Sequence, residues 1–174
     1  SYTAAVAAAA AIGHFIMHLM SMLGIAHMQE ADNQLEQAAA SYRVALKLAG
    51  DPPLPAASGA HLGLARLYYA WHDLAAAEEH AQQSLRLAHQ LENTDRFLAA
   101  EVMLARLRLA RGEVAAAWAQ LATTEQAAQR PHLARMLPEI AAAQVAVLLH
   151  QGKLDAAAHL AQRYALPFCQ VRVQ

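Results

Sequence analysis

A short signature returns four times along this 174-residue chain at an almost constant interval. It reads Leu35-Glu36-Gln37-Ala38, Leu74-Ala75-Ala76-Ala77, Val114-Ala115-Ala116-Ala117 and Leu154-Asp155-Ala156-Ala157, in steps of 39, 40 and 40 residues. Two positions before each leading Leu or Val stands a turn-tolerant or polar residue: Asn33, His72, Gly112 or Gly152. A fixed period of this length marks a stack of like supersecondary units, none of which buries its apolar face alone. Such stacks build extended binding surfaces. No repeat carries a reactive constellation of its own, so the pattern argues against an enzyme.

The units read as helix pairs. Alanine and leucine fill 70 of the 174 positions, and both rank high in helix propensity. No stretch shows the period-two alternation of a strand, so no sheet is expected. Helix ends are expected at Gly13, Asp32-Asn33, Gly50 to Pro55, His72-Asp73, Asn93 to Asp95, Gly112, Gln129 to Pro131, Gly152 and Ala165 to Pro167. Each break carries a glycine, an Asp or Asn cap, or a proline. Asp95 suits the N-cap of a helix running through Ala110, and Pro138 fits the first turn of a later one. The repeats then span about 14–50, 55–92, 95–130 and 132–165, with 1–12 as the end of a preceding helix.

Steric spacing supports the pairing. Twelve residues before the last Ala of each signature lies Ala26, Ala65, Ala105 or Val145, and seven after it lies Ala45, Ser84, Thr124 or Tyr164. Small residues at these offsets let antiparallel helices approach closely. Bulk replaces them in the last repeat, where looser packing is expected. The implied fold class is all-α, an α-solenoid of antiparallel helix pairs with about four repeats of ~40 residues.

Composition narrows the partners. A formal net charge of -1 gives no electrostatic reason for nucleic-acid contact. The single Cys169 rules out an intramolecular disulfide framework and a cysteine metal cluster, and suits a reducing cytoplasm. The first charged side chain is Glu30, so residues 1–29 have the length of a membrane span. They are rich in Ala, hold His14, His18 and His27 and lack a basic flank, which favours buried solenoid helices broken near Gly13-His14 over a membrane contact.

Helix pairs with small residues at these offsets resemble tetratricopeptide repeats (TPR), although the period exceeds the usual ~34 residues. The run Gly50-Asp51-Pro52-Pro53-Leu54-Pro55-Ala56-Ala57, then Gly63-Leu64-Ala65, then Tyr69-Ala70-Trp71-His72-Asp73-Leu74-Ala75-Ala76-Ala77 and His80 is more specific. It resembles the helical-repeat region of the large MalT-like, ATP-dependent LuxR-type bacterial transcription activators. Leu23-Gly24, Tyr42-Arg43, Leu109-Ala110-Arg111-Gly112-Glu113 and Gln151-Gly152-Lys153-Leu154 add to it. Ala70 and His72 depart from the Glu and Asn expected beside Trp71.

The resemblance implies an N-terminal nucleotide-binding module, a repeat superhelix that senses a small inducer and self-associates, and a C-terminal helix-turn-helix. This chain holds no Gly-x-x-x-x-Gly-Lys-[Ser/Thr] phosphate loop and no basic recognition helix. No cofactor is therefore expected in this segment, and ATP belongs to the upstream module of the family. The chain ends at Val171-Arg172-Val173-Gln174 without a polar capping helix, so further helices are expected to follow.

The first helix of each pair is expected to line a concave groove. Counting back from the signature Ala selects Leu23, His27 and Glu30, then Leu62, Arg66 and Tyr69, then Val102, Arg106 and Leu109, and finally Ala142, Ala146 and Leu149. Of these, His27, Glu30, Leu62, Arg66, Tyr69, Val102, Arg106 and Leu109 are the candidate binding residues. Arg66, Tyr69 and Arg106 offer planar donors and aromatic area for a carboxylate, a sugar ring or a peptide. The competing reading has both arginines solvated, their stems lying over apolar neighbours.

Trp71 and Trp118 serve as core aromatics or as ligand platforms, with core packing favoured and Trp71 set against the next pair. His14 and His18 have helical metal-ligand spacing but no third ligand nearby, so no metal is expected. Carboxylates are scattered, and Cys169 has no partner to activate it. The partners that remain are a small-molecule inducer or peptide in the groove and a second copy of the chain. The alternative to an inducer-sensing regulator segment is a general peptide-binding TPR scaffold.

Overall fold

The computed structural model describes residues 2–91 and 95–165, with side chains from residue 13 onward. Among them run eight α-helices and no strand: α1 (Tyr2–Ala31), α2 (Leu35–Ala49), α3 (Ser58–Ala70), α4 (Leu74–Ala88), α5 (Asp95–Ala110), α6 (Val114–Ala128), α7 (Leu137–His150) and α8 (Leu154–Arg163). Short 3₁₀ turns at Pro55–Ala57 and Ala134–Met136 precede α3 and α7. Pro138 sits in the first turn of α7, where its missing N–H costs nothing. Trp71 is half-buried against the core of the first unit and lies edge-on to Tyr68, with ring centroids 5.7 Å apart.

The recurring signature encodes one turn, used four times. Asn33, His72, Gly112 and Gly152 all adopt left-handed backbone, with φ of 58°, 61°, 80° and 72°. The N–H of the following residue (Gln34, Asp73, Glu113 or Lys153) donates back to the carbonyl of Gln29, Tyr68, Arg108 or Leu148 at 2.8 or 2.9 Å. This six-to-one bond is the Schellman ending of a helix. One residue later Leu35, Leu74, Val114 and Leu154 begin the next helix. Asp73 also caps α4 by accepting from the Ala76 N–H at 3.0 Å. Because each turn is so short, the two helices it joins pack antiparallel. Their contact is sealed by the signature alanines: Ala38, Ala77 and Ala117 are fully buried and Ala157 is nearly so.

The chain forms two compact units, residues 1–92 and 93–174, each holding two such hairpins. The first unit is built on Leu19, Leu23, Tyr42, Leu64 and Leu67. The second is built on Leu98, Val102, Leu121, Ile140 and Val147. Each fully buried aliphatic side chain of this kind contributes about 1.5–3 kcal/mol. The small-residue positions Ala26, Ala65, Ala105, Ala45, Ser84 and Thr124 are buried, and Ser84 also donates to the Ser58 carbonyl at 2.8 Å. Val145 and Tyr164 of the last repeat are only half-buried, in keeping with the bulk they bring.

One expectation is overturned. The helix does not break at Gly13-His14; α1 runs unbroken from Tyr2 to Ala31. Residues 2–12 thus belong to the first hairpin's own helix, not to a preceding one. A glycine in a helix interior costs only about 1 kcal/mol relative to alanine, and the alanine-rich flank readily absorbs that. No helix among the described residues is long and apolar enough to cross a membrane. The ends expected at Asn93 and Pro167, and Cys169, lie outside the described residues.

Candidate functional site

Three helices of the first unit converge on one carboxylate. Glu30 stands in the last turn of α1, Tyr42 in the middle of α2 and Arg66 in the middle of α3. Arg66 Nε donates to Glu30 Oε1 at 2.7 Å and Arg66 Nη2 to Oε2 at 2.8 Å, a two-pronged pairing of guanidinium and carboxylate. The Tyr42 hydroxyl donates to Glu30 Oε2 at 2.7 Å, and Arg66 Nη2 also reaches that hydroxyl at 3.5 Å. His27, one turn back on α1, meets the Tyr42 ring edge-on at 5.7 Å between centroids.

Electrostatics follow from this geometry. Burial pushes the Glu30 carboxyl up, but the bonds and charge of Arg66, the Tyr42 hydroxyl and nearby His27 outweigh it and hold Glu30 below its ordinary range. Burial raises the Tyr42 phenol, and its bond to the Glu30 carboxylate raises it further. The carboxylate therefore stays charged and the phenol protonated across the neutral range.

Tyr42 reaches Glu30 only because α3 makes room. A β-carbon on Gly63 would lie 2.2 Å from Tyr42 Cζ and 2.4 and 2.5 Å from its two Cε atoms. The ring therefore lies directly against the α3 backbone, one turn before Arg66. The absent side chain at Gly63 is as much a part of this site as the three groups that bond.

A second cluster joins α2 and α3 to α4. His61 Nδ1 and His80 Nδ1 lie 2.9 Å apart across α3 and α4. His80 stacks on Tyr68 with centroids 5.4 Å apart and rings 6° from parallel. Arg43 Nη2 on α2 donates to the Tyr68 hydroxyl at 3.1 Å. Burial first, then the charges of His80 and Arg86, push His61 down to about 4. Burial and the Arg43 charge depress His80, against the pull of Glu79.

With this geometry in place, a family model described as the MalT-like TPR region matches residues 1–173. The chain belongs to that family. No curated protein matches it.

The residues expected to line the groove of this MalT-like TPR region divide into three groups. His27, Glu30 and Arg66 come together with Tyr42, while Tyr69 stands half-buried one turn beyond Arg66. Leu62 and Val102 are buried, Val102 within the core of the second unit, and offer a ligand almost no surface. Arg106 and Leu109 lie half-buried on α5 of the second unit.

Arg66 is neither simply solvated nor open to an incoming carboxylate, because Glu30 already fills its fork. Tyr42 and Gly63 belong to the node, although the sequence marks them only through the family resemblance. Their signal lies in pairing a large ring with a glycine that no turn requires.

The second unit has a cleft of about 270 Å³ lined by Phe97, Glu101, Gln120, Thr123, Thr124 and Ala127. Gln120 Nε2 donates to Glu101 Oε2 across it at 2.5 Å. Glu101 and Gln120 stand 40 residues after His61 and His80, so both repeats place a polar pair at the same inter-helix position.

Proposed function

We propose that this chain is the effector-sensing and self-association segment of a LuxR-type, MalT-like bacterial transcription regulator, acting in the cytoplasm by binding and not by catalysis. The reading is carried by the match of the MalT-like TPR region over residues 1–173. The effector is a small molecule or short peptide that engages the surface around His27, Glu30, Arg66 and Tyr69. The Glu30–Arg66–Tyr42 node gives such a ligand leverage, since it ties α1 to α2 and α3. A ligand that bonds to the rim of the node binds one arrangement of these helices better than another. That difference in affinity shifts their populations. ATP and DNA are handled by other modules of the regulator.

Two experiments test this. The reading frame that encodes the chain should also encode a Gly-x-x-x-x-Gly-Lys-[Ser/Thr] loop upstream and a helix-turn-helix downstream. A frame with neither leaves the chain a peptide-binding scaffold. In the full-length regulator, Arg66→Ala combined with Arg106→Ala should weaken the transcriptional response to inducer, read from a promoter fusion. An unchanged response removes these residues from sensing.

A further inference from the structure

The polar side chains around the cleft of the second unit are all committed as hydrogen-bond acceptors. Glu101 is a carboxylate, which accepts and does not donate. It takes the Gln120 Nε2 proton on Oε2 and forms no ion pair among the described residues. That bond fixes which way round the Gln120 amide sits, because only its nitrogen has protons to give. Gln120 Oε1 is then left buried, with no donor among the described residues. Thr123 and Thr124 spend their hydroxyl protons on the carbonyls of Ala119 and Gln120, at 2.7 and 2.8 Å, and keep only lone pairs. Phe97 and Ala127 supply the apolar part of the lining.

The matching position of the first unit needs nothing from outside. His61 and His80 can each donate or accept, and they satisfy one another across 2.9 Å. Forty residues on, Glu101 and Gln120 hold a negative charge without a cation and a buried carbonyl without a donor. Native proteins rarely leave a buried acceptor unsatisfied, because its lost hydration is not repaid. Both deficits lie in residues that line the one cleft.

We propose that this cleft binds an alkylammonium group, a protonated primary amine on a short apolar chain. An ammonium brings three donors and the missing positive charge. It pairs with the Glu101 carboxylate by charge-assisted hydrogen bonds, the strong kind. The Gln120 carbonyl turns to it about a soft terminal torsion, and Thr123 Oγ1 accepts the third bond. The alkyl chain lies along Phe97 and Ala127. About 270 Å³ has room for about nine heavy atoms at a water's ~30 Å³ each, so the ligand is a short free amine or the end of a lysine side chain. This site is separate from the Glu30–Arg66–Tyr42 node and does not rest on the regulator reading.

The test is titration of the isotope-labelled whole chain with n-pentylammonium at neutral pH, where the amine is charged, followed by amide correlation spectra. The Gln120 side-chain amide and the backbone amides of Phe97 and Ala127 should shift and saturate, with a Kd of about 1 mM or below. n-Pentanol keeps the chain and loses the charge, and should bind at least about tenfold more weakly. Glu101→Gln should weaken the ammonium by about tenfold or more. Glu113→Gln, which removes an exposed carboxylate in the α5–α6 turn, should leave its affinity unchanged. Gln120→Met removes the buried acceptor and should also weaken binding, in a chain whose far-UV circular dichroism is unaltered. Acetyl-lysine amide separates the two sources: tighter binding than n-pentylammonium assigns the cleft to a lysine side chain, weaker binding to a free amine, and both orders support the ammonium chemistry.

Spectra unchanged by n-pentylammonium and by acetyl-lysine amide up to about 10 mM overturn the proposal and leave the Gln120 carbonyl to a water. Pentanol that binds as well as the ammonium overturns it by making the cleft merely apolar. Binding indifferent to Glu101→Gln overturns it by placing the cation elsewhere. The reading-frame test of the regulator is independent of all three.

Discussion

The two units solve the same packing problem with different chemistry. Counting from the signature alanines, Glu30, Tyr42, Gly63 and Arg66 of the first unit correspond to Leu109, Leu121, Ala143 and Ala146 of the second. Where the first unit joins three helices through a carboxylate, a phenol and a guanidinium, the second uses aliphatic side chains. Leu121 and Ala143 are buried in its core, and Leu109 packs against it. The substitutions are paired. A ring at Tyr42 goes with no side chain at Gly63, and the smaller Leu121 goes with a methyl at Ala143. The fold thus needs a close inter-helix contact at this place but not a polar one. The polar version adds an orientation-specific, titratable junction to a scaffold that stands without it, which is why the first unit's node is the better candidate for sensing.

The largest expected effect comes from importing the second unit's solution by halves. Gly63→Ala drives a methyl into the Tyr42 ring and should cost about 3 kcal/mol, at the upper end of what overpacking costs. Gly63→Ala with Tyr42→Leu reproduces the Leu121–Ala143 pair and should be the more stable of the two variants by urea denaturation, a non-additivity expected of residues in contact. If the double variant is as damaged as the sum of its singles, the two positions are not coupled and the equivalence of the units fails.

Next is Glu30→Gln. The amide keeps the shape but leaves the Arg66 charge uncompensated and should cost about 1.5–2 kcal/mol, the lower part of the range for a hydrogen bond to a charged group, because solvent screens the partly exposed pair. Leu109→Ala in the second unit should cost packing energy alone, with no dependence on salt. Urea midpoints at low and high ionic strength separate the two.

Acid should also act on the first unit. His61 in the folded chain lies at about 4, below its ordinary 6.5, so the unfolded chain takes up the proton first. The stability it lends is present above pH 6.5 and is lost as pH falls from there towards 4. His80 acts in the same direction. Glu30, held below its ordinary 4.5, lends stability that is present above that value and fades as pH falls through the lower folded one. Denaturation midpoints should therefore decline in two stages. His61→Asn with His80→Gln should flatten the upper stage, and Glu30→Gln the lower. The second unit's equivalent polar pair, Glu101 and Gln120, has no imidazole.

Much of this architecture is legible in sequence because the repeated signature is a turn signature. Asn33, His72, Gly112 and Gly152 mark four left-handed residues, and the alanines that follow must be small because another helix lies against them. The site is legible only in part. The repeat spacing places both Glu30 and Arg66 on an inward face, but nothing in a one-dimensional pattern says that residues 36 apart satisfy each other instead of a ligand. The unbroken α1 is not legible in the sequence because glycine is a weak signal among alanines, a cost of about 1 kcal/mol that neighbouring residues overrule.

The smallest effect tests whether the four turns are truly equivalent. His72 is the odd member, a bulky residue at φ 61° where two of its counterparts are glycine. Holding a side chain in left-handed backbone costs about 1–2 kcal/mol, while glycine loses about 0.5–1 kcal/mol more in chain entropy on folding than other residues do. His72→Gly should therefore stabilise the first unit by about 0.5–1 kcal/mol, and Gly112→Ala should destabilise the second by a similar amount. His72→Asn should fall between, since asparagine tolerates this conformation better than histidine. Thermal midpoints of the three variants give the comparison directly. A His72→Gly variant that melts lower than wild type would mean that the imidazole makes a contact worth more than the strain, and that this turn has been adapted to something the other three lack.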